Sequence, residues 1–300
     1  MLDVAAYQAL RPPRHETHRV RGLDVHVTRW GRECAPQESP LILLHGWLDV
    51  GETFQFIVDA FKKDWPIVAP DWRGFGRSER PQEGYGFPDY LGDFDALMDL
   101  FSPGLPARIV GHSMGGNIAC LFAGLRPERV RCVVNLEGIG LPRTKAEQAP
   151  RQMRKWLDQI KTPAAEKNYN SLEQLTAIIQ FRYPRLSPEI AEFVARAWSI
   201  PGEYGRVRLA ADPRHHWVNP GLYKREDAEA TWREIRAPLM LMLGEQSDYP
   251  DRLGEDGAIE ALRRVYPGVE IATVAGAGHM LHLERPESVA ALAESFLDAH

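Results

Sequence analysis

The residue best suited to chemistry in this 300-residue chain is a serine set between glycines. Ser113 lies in Gly111-His112-Ser113-Met114-Gly115, after a short apolar run and before a helical pattern. In this strand–turn–helix context, G-x-S-x-G predicts a nucleophile elbow, a strained turn that exposes the serine hydroxyl above a sheet. The glycines remove Cβ atoms that would collide in the turn. The N-terminus of the helix then stabilises negative charge beside the hydroxyl.

A histidine near the end of the chain is placed to act as the general base. His279 ends the glycine-rich segment 275–279, directly after the last apolar run that resembles a strand. A histidine in this position is the residue type best suited to take the proton of the serine hydroxyl and return it to a leaving group. The chain contains ten histidines, so position and chain order, not residue type, single out His279.

A second backbone N–H is needed to hold a negatively charged oxygen beside the serine. The apolar run 41–44 ends in His45-Gly46-Trp47, and the loop after the third strand normally supplies that group. We therefore predict an oxyanion hole formed by the amides of Trp47 and Met114. The Trp47 side chain is also expected to line the substrate pocket.

Short apolar runs alternate with amphipathic stretches, which predicts an α/β fold with a mostly parallel sheet covered by helices. The first two candidate strands alternate in polarity like an antiparallel edge pair, whereas the later ones are almost wholly apolar, as strands buried on both faces should be. The candidates are Thr17–Arg21, Asp24–Trp30, Leu41–Leu44, Ile67–Ala69, Arg108–Val110, Cys132–Leu136, Leu239–Leu243 and Glu270–Val274.

The pattern changes between residues 138 and 237, where charge and helical periodicity replace the strands. We interpret this block as a helical lid inserted into a core of residues 1–137 and 238–300. The alternative is a set of helices that simply extends the core. Ser171 and Ser187 are expected to cap two of the lid helices. The predicted helices are Gln148–Ile160, Leu172–Phe181, Pro188–Trp198 and Ala228–Ile235.

Four motifs in this order resemble the α/β-hydrolase superfamily: HGW at 45–47, DWRGFGRS at 71–78, GHSMGG at 111–116 and GAGHMLHLERP at 276–286. The resemblance covers about Thr17 to His300 and is strongest to serine-hydrolase-like carboxylesterases with a helical lid. It implies an eight-stranded sheet with helices on both faces, and a structural role for residues 71–78. The related dehalogenases and epoxide hydrolases have aspartate at the elbow, so Ser113 implies acyl chemistry instead.

The carboxylate that orients the histidine has two candidates. The family usually keeps its acid after the seventh strand, where Asp248 lies, although the usual spacing is one residue shorter than here. Some lidded dehalogenase relatives use the end of the sixth strand, where Glu137 lies. We prefer Asp248 and keep Glu137 as the competing assignment. Glu245 and Asp251 are interpreted as solvated loop charges.

Composition and charge restrict the kinds of partner molecule and the location that we expect for the protein. A net charge of −5, with 26% charged and 44% hydrophobic residues, is typical of a globular protein and argues against a nucleic-acid surface. The N-terminus lacks the pattern of a signal peptide, and no apolar run approaches the roughly 20 residues of a membrane helix. Cys34, Cys120 and Cys132 form no disulfide or zinc pattern. A cytoplasmic location is the expectation.

No metal or organic cofactor is expected. His282 and Glu284 follow His279 closely, but a third ligand is lacking, so helix capping or surface contacts are the preferred interpretation. Pocket-lining residues are sought among the aromatic and histidine side chains near the elbow and in the lid. The candidates are Trp47, His112, Trp156, Phe181 and Trp198, with Tyr183, Phe193 and Trp217 as further lid aromatics.

Three functions remain open. The first is cleavage of carboxylic esters through an acyl-enzyme. The second keeps the same triad but accepts an acyl thioester, which a basic entrance for a phosphate-bearing carrier would favour. Arg143, Lys145, Arg151, Arg154 and Lys155 could supply that entrance, although a solvated helix face is the commoner explanation. The third is a non-catalytic binding protein, against which Ser113 and His279 argue. Oligomeric state stays open.

Overall fold

Every apolar run predicted to be a strand belongs to one sheet in a computed structural model of the protein, which describes residues 7–82 and 84–300. Residues 1–6, where the predicted core begins, lie outside the described residues. The strands are β1 (Arg14–Val20), β2 (Leu23–Trp30), β3 (Leu41–Leu44), β4 (Ile67–Pro70), β5 (Ala107–His112), β6 (Val130–Leu136), β7 (Asn168–Tyr169), β8 (Ser199–Pro201), β9 (Val207–Leu209), β10 (Leu239–Gly244) and β11 (Glu270–Val274).

The main sheet has the order β1-β2-β4-β3-β5-β6-β10-β11 within the described residues. Strand β2 pairs antiparallel with both β1 and β4. The pairs from β4 to β11 are all parallel. This topology confirms the predicted mostly parallel sheet and brings the carboxyl ends of β3, β5, β6, β10 and β11 to one edge.

Helices cover both faces of the sheet. They are α1 (Gln55–Ala60), α2 (Phe87–Phe101), α3 (Met114–Leu125), α4 (Ala149–Gln159), α5 (Leu172–Arg182), α6 (Pro188–Ala197), α7 (Arg225–Trp232), α8 (Tyr249–Arg252), α9 (Ile259–Val265), α10 (Leu281–Glu284) and α11 (Pro286–Ala299). Among the described residues, none of these helices combines the length and apolar character needed to cross a bilayer.

Alternate residues of one strand serve two different hydrophobic cores. Ile42 and Leu44 of β3 pack in a core with residues of α2 and α3, whereas Leu41 and Leu43 pack in a second core with residues of α1 and α11. Successive side chains of a strand point to opposite faces. The continuous apolar run of β3 therefore follows from burial on both sides, as its sequence predicts.

Residues 138–237 contain α4 to α7 and a small antiparallel sheet of order β7-β9-β8. Both predicted helix caps are confirmed, since the Ser171 and Ser187 hydroxyls accept hydrogen bonds from the amides of Gln174 and Ile190. Helix α7 begins three residues before the predicted start, at Arg225. The assignment of this block as a lid domain remains a prediction.

A third apolar cluster joins the block to the remainder of the chain. Leu175 of α5 and Val194 of α6 share it with Phe56 of α1 and Leu283 of α10. Helices α5 and α6 are therefore anchored beside the segment that follows His279.

Candidate active site

Ser113 lies at the tight turn between β5 and α3. Its backbone has φ 50° and ψ −112°, a left-handed conformation that costs free energy for any residue with a Cβ atom. A Cβ atom on Gly111 would lie 2.6 Å from the carbonyl oxygen of Gly115, and one on Gly115 would lie 2.1 Å from that of Leu44. Both flanking glycines are thus required by close backbone approach.

The imidazole of His279 reaches the elbow from the turn after β11. Its Nε2 atom is 3.1 Å from the Ser113 Oγ atom, which is hydrogen-bond distance for a serine and its base. The ring of Tyr249 packs against that of His279 with centroids 4.8 Å apart. The turn itself is held by the Gly278 amide, which donates to a carboxylate oxygen of Glu284 at 2.6 Å.

Glu137 is the carboxylate that contacts the histidine. One of its oxygens, Oε2, lies 2.7 Å from the Nδ1 atom of His279. The side chain is 0% exposed, and it also accepts hydrogen bonds from the Gly244 amide at 2.7 Å and the Ser247 hydroxyl at 2.6 Å. Burial with three donors fixes the orientation of the carboxylate and therefore of the imidazole.

Asp248, the preferred acid in the sequence analysis, does not contact His279 within the described residues. Its side chain is 67% exposed and pairs with Arg252 at 2.7 Å, and hydrogen bonds from Arg252 hold the pKa of Asp248 below its usual value. The structure therefore places Glu137, and not Asp248, beside His279, and the role of Glu137 as the acid becomes the proposal. Glu245 and Asp251 are exposed, as predicted.

The loop after β10 supports the acid rather than supplying it. Ser247, one residue before Asp248, donates to Glu137 from the position that the usual family spacing would give to the acid. The mismatch of one residue between Asp248 and the usual family spacing was the signal in the sequence for this arrangement.

The predicted oxyanion loop lies directly over the elbow. A Cβ atom on Gly46 would be 3.3 Å from the Cβ atom of Ser113. The Asp49 amide donates to the Gly46 carbonyl at 3.3 Å, and Leu48 has φ 60°, so Trp47 and Leu48 form the centre of a tight turn. Met114 is the first residue of α3, where an amide has no acceptor within its own helix. The joint role of the Trp47 and Met114 amides remains a prediction.

His45 braces this loop from below. Its Nδ1 atom is 2.7 Å from the Gly46 carbonyl oxygen, and its Nε2 atom accepts from the Trp72 amide at 2.9 Å. Burial lowers the pKa of His45, which favours the neutral ring that this pattern requires. In segment 71–78, the Asp71 carboxylate accepts from the amides of Gly51 and Arg77, which supports the structural role that the resemblance implies.

The predicted pocket residues fall into two groups. Trp47, in the predicted oxyanion loop, packs edge-on against His216 with ring centroids 5.1 Å apart. The Trp198 indole donates to Asp49, at the end of the same turn, at 2.7 Å. Phe181 is 91% exposed and His112 is 2% exposed. Phe181 faces outward on α5, His112 lies beneath the elbow, and a pocket role for either residue stays a prediction.

Trp156 is half-buried on α4, a helix without a buried residue, and its pocket role also stays a prediction. His282 and Glu284 are both buried, which overturns the interpretation of surface contacts. Their apolar neighbours in the sequence were the signal that burial was possible. The pKa of His112 is held well below its ordinary value, mainly because the ring is buried and also because His282 and His279 lie nearby.

A serine elbow, a histidine and a buried carboxylate at the carboxyl ends of parallel strands define the class of α/β enzymes built on a nucleophile elbow. Residues 39–286 match the family model described as alpha/beta hydrolase fold. The chain therefore belongs to the α/β-hydrolase family.

Among curated proteins, the chain is 27% identical to "Serine hydrolase-like protein" of Danio rerio, over 86% of this chain and 81% of that protein. It is 26% identical to "2-(acetamidomethylene)succinate hydrolase" of Mesorhizobium japonicum, over 87% and 89% of the two chains. A solved thioesterase domain from the curacin biosynthetic pathway superposes with a TM-score of 0.81 at 24% identity, covering 96% of this chain and 99% of that one. At that identity the likeness supports the fold alone.

Proposed function

We propose that the protein is a serine hydrolase that cleaves carboxylic esters through an acyl-enzyme. The observation that carries this proposal is the unbroken chain of contacts from the Ser113 hydroxyl to His279 at 3.1 Å and from His279 to Glu137 at 2.7 Å. Nucleophile, base and orienting carboxylate are the three roles that acyl transfer requires.

In the proposed mechanism, the Ser113 Oγ atom attacks the ester carbonyl carbon while its proton passes to the Nε2 atom of His279. The amides of Trp47 and Met114 hold the resulting oxyanion. Collapse breaks the bond to the alcohol oxygen, which takes the proton from His279. Water then repeats the sequence on the acyl-enzyme and releases the acid and Ser113. Glu137 stabilises the imidazolium that forms twice in each cycle.

The surroundings of the elbow favour an ester with a short or medium acyl group. Trp47, His216 and Trp198 lie along the oxyanion loop and offer apolar surface beside polar groups. Sites of this composition bind small ligands by contact area and orient them by a few hydrogen bonds.

One observation favours an acyl thioester as a second candidate substrate. An open groove of about 660 Å³ is lined in part by Arg151, Arg154, Lys155 and Trp217. Trp217 follows His216, which packs against Trp47 of the oxyanion loop. Three cations beside an aromatic ring suit a phosphate-bearing carrier. Arg143 does not contribute, because it pairs with Glu226, Glu229 and Asp256.

A covalent probe and a substrate panel test the proposal together. A fluorophosphonate should label the native protein at Ser113, and Ser113→Ala should lose both the label and hydrolysis. Absence of labelling on the native, folded protein would contradict the proposal and support a non-catalytic binding role.

The panel compares p-nitrophenyl esters of increasing chain length with the matching acyl-CoA thioesters. If thioesters are the substrates, the double variant Arg151→Gln/Lys155→Gln should lower kcat/KM for acyl-CoA several-fold while leaving the p-nitrophenyl esters unaffected. An equal change for both series would exclude the groove as a carrier site.

A further inference from the structure

Directly beneath the elbow, three buried side chains bring together polar atoms that have no hydrogen-bond partner among the described residues. Asp49, His112 and His282 are 1%, 2% and 0% exposed. Each offers one possible ligand atom, and these atoms all lie within 4.8 Å of one another. None of the three is assigned a step in the proposed ester hydrolysis.

The unused atoms are specific. The Oδ2 atom of Asp49, the Nδ1 atom of His112 and both ring nitrogens of His282 are buried and have no hydrogen-bond partner among the described residues. The Nε2 atom of His282 lies 3.5 Å from the Oδ2 atom of Asp49, which is longer than a normal N–H···O hydrogen bond. Buried polar atoms without partners are rare and costly, so one such atom from each of three side chains, all within 4.8 Å of one another, indicates a missing ligand.

The opposite atoms of two of these side chains are firmly held. The Oδ1 atom of Asp49 accepts from the Val50 amide at 2.9 Å, the Thr53 hydroxyl at 2.8 Å and the Trp198 indole at 2.7 Å. The Nε2 atom of His112 lies 2.9 Å from the His279 carbonyl oxygen. Because a carbonyl only accepts, that contact places the proton on Nε2 and leaves the lone pair on Nδ1. Metal-binding histidines are typically oriented by such a bond from the far nitrogen.

From these contacts we infer that Asp49, His112 and His282 form a binding site for a divalent transition-metal ion of the zinc type. Two imidazoles and a carboxylate are ligands that Zn²⁺ and Co²⁺ accept in tetrahedral sites, with water as the fourth ligand. Bonds of about 2.0–2.2 Å place ligand atoms roughly 3.3–3.6 Å apart. The separation of 3.5 Å between His282 and Asp49 already fits, and the ion would draw the other ligand atoms together from separations of at most 4.8 Å.

Metal binding at this site should inhibit hydrolysis. Asp49 ends the turn that carries Trp47, and His112 immediately precedes Ser113 and contacts the His279 carbonyl. Drawing Asp49 and His112 toward one ion shifts the oxyanion loop relative to the elbow, and displacements of this kind cost large factors in rate. The site is therefore a regulatory or inhibitory one, and it supplies no chemistry to the ester reaction.

Binding is best tested in the Ser113→Ala background, so that the result does not depend on the proposed hydrolase activity. The chelator-treated full-length protein is titrated with Co²⁺. We expect saturation at one equivalent, intense visible d–d bands of a tetrahedral ion and a rise in Tm with added metal. His282→Gln and Asp49→Asn should each abolish the bands and the Tm rise, whereas His15→Gln, at a half-exposed histidine outside the cluster, should retain both.

Loss of the signal in a variant has meaning only if the variant folds, which its circular dichroism spectrum checks. Anomalous diffraction at the cobalt edge from crystals of the protein grown with Co²⁺ locates the ion without any substitution. Absence of saturable binding, binding that survives in both cluster variants, or an ion found elsewhere would each overturn the inference.

Inhibition is measured separately on the active protein. Zn²⁺ should lower ester turnover by at least tenfold in the unsubstituted protein, whereas turnover of His282→Gln, relative to its own metal-free rate, should be insensitive to the same concentration. Inhibition of equal strength in both would place the ion on His279 itself and contradict the regulatory role.

Discussion

At the scale of single residues, the proposed acid is chosen by burial and hydrogen-bond donors rather than by position in the family pattern. Glu137 has φ 57°, so its backbone adopts a strained conformation that directs the carboxylate along the end of the sheet toward His279. Strain of this kind is found where the surrounding structure over-determines a functional side chain. Asp248 is exposed and is already paired with Arg252.

A pair of isosteric substitutions tests this assignment. Glu137→Gln should lower kcat by about 10⁴-fold, because the amide can hold the imidazole in the wrong tautomer and cannot stabilise its charged form. Asp248→Asn should leave kcat within about twofold of the unsubstituted protein, since a surface pair contributes little. Steady-state kinetics on one p-nitrophenyl ester measures both. A large loss in Asp248→Asn, with Glu137→Gln near full activity, would reverse the assignment.

At the scale of elements, the elbow depends on how closely α3 approaches β3. The Leu44 carbonyl oxygen lies 2.1 Å from the position of a Cβ atom on Gly115, so no side chain fits without movement of the backbone. In the predicted oxyanion hole, this close approach brings the Met114 amide, the first of the helix, toward the Trp47 amide. The close approach of Gly115 to Leu44 therefore affects both the geometry of the candidate active site and the packing of α3 on the sheet.

Gly115→Ala should accordingly reduce both stability and activity. Overpacking against backbone atoms should lower the free energy of unfolding by about 3 kcal/mol, and the displaced Met114 amide should lower kcat. Urea denaturation measures the first effect and ester kinetics the second. Gly221→Ala is the matched control, because its new Cβ atom would meet only the Asn219 side chain at 3.5 Å. If Gly115→Ala behaved like that control, the close approach would not be a constraint.

Most of the main sheet could be predicted from the sequence because β3, β4, β6 and β10 are apolar runs that are almost wholly buried, and the edge strand β1 alternates. The three lid strands could not, because segments of two or three residues such as Asn168–Tyr169 carry no readable period. The start of α7 was misplaced because its buried face includes Arg225 and Glu229, which pair with each other and which an apolar pattern does not count.

Some residues of the candidate site could likewise be predicted from the sequence, and others could not. Ser113 and His279 were identifiable because their glycine-rich turns mark sharp bends at strand ends. The choice between Glu137 and Asp248 depended on which side chain is buried against the loop after β10, and that packing involves residues more than one hundred positions apart. The exposure of Phe181 could not be predicted for a similar reason, since α5 presents a mixed face with little amphipathic contrast.

At the scale of the whole molecule, stability should depend on pH through a buried histidine that has no role in the proposed mechanism. His215 stacks on Phe75 with centroids 3.7 Å apart, and burial lowers its pKa from 6.5 to about 3. The nearby Asp212 opposes that shift only in part. Between these two pH values the unfolded chain binds a proton that the folded protein does not. The contribution of His215 to the free energy of unfolding is therefore most favourable above pH 6.5, and it becomes less favourable as the pH falls toward 3.

His215→Phe should remove this dependence. The contribution of one proton is about 1.4 kcal/mol per pH unit, so the slope of unfolding free energy against pH should fall by that amount between pH 4 and 6. Above about pH 7.5 the two curves should run parallel, since an unfolded-state histidine is then neutral. Urea denaturation across this range provides the measurement. An unchanged acid slope would show that His215 takes up its proton without unfolding.

In the proposed triad, the two hydrogen bonds join residues 166 and 142 positions apart. During synthesis, the hydroxyl of Ser113 is made long before the imidazole that would activate it, and under this proposal it stays an ordinary alcohol until the final strand joins the sheet. The proposal therefore predicts that a nascent or truncated chain that ends before position 279 has no reactive serine.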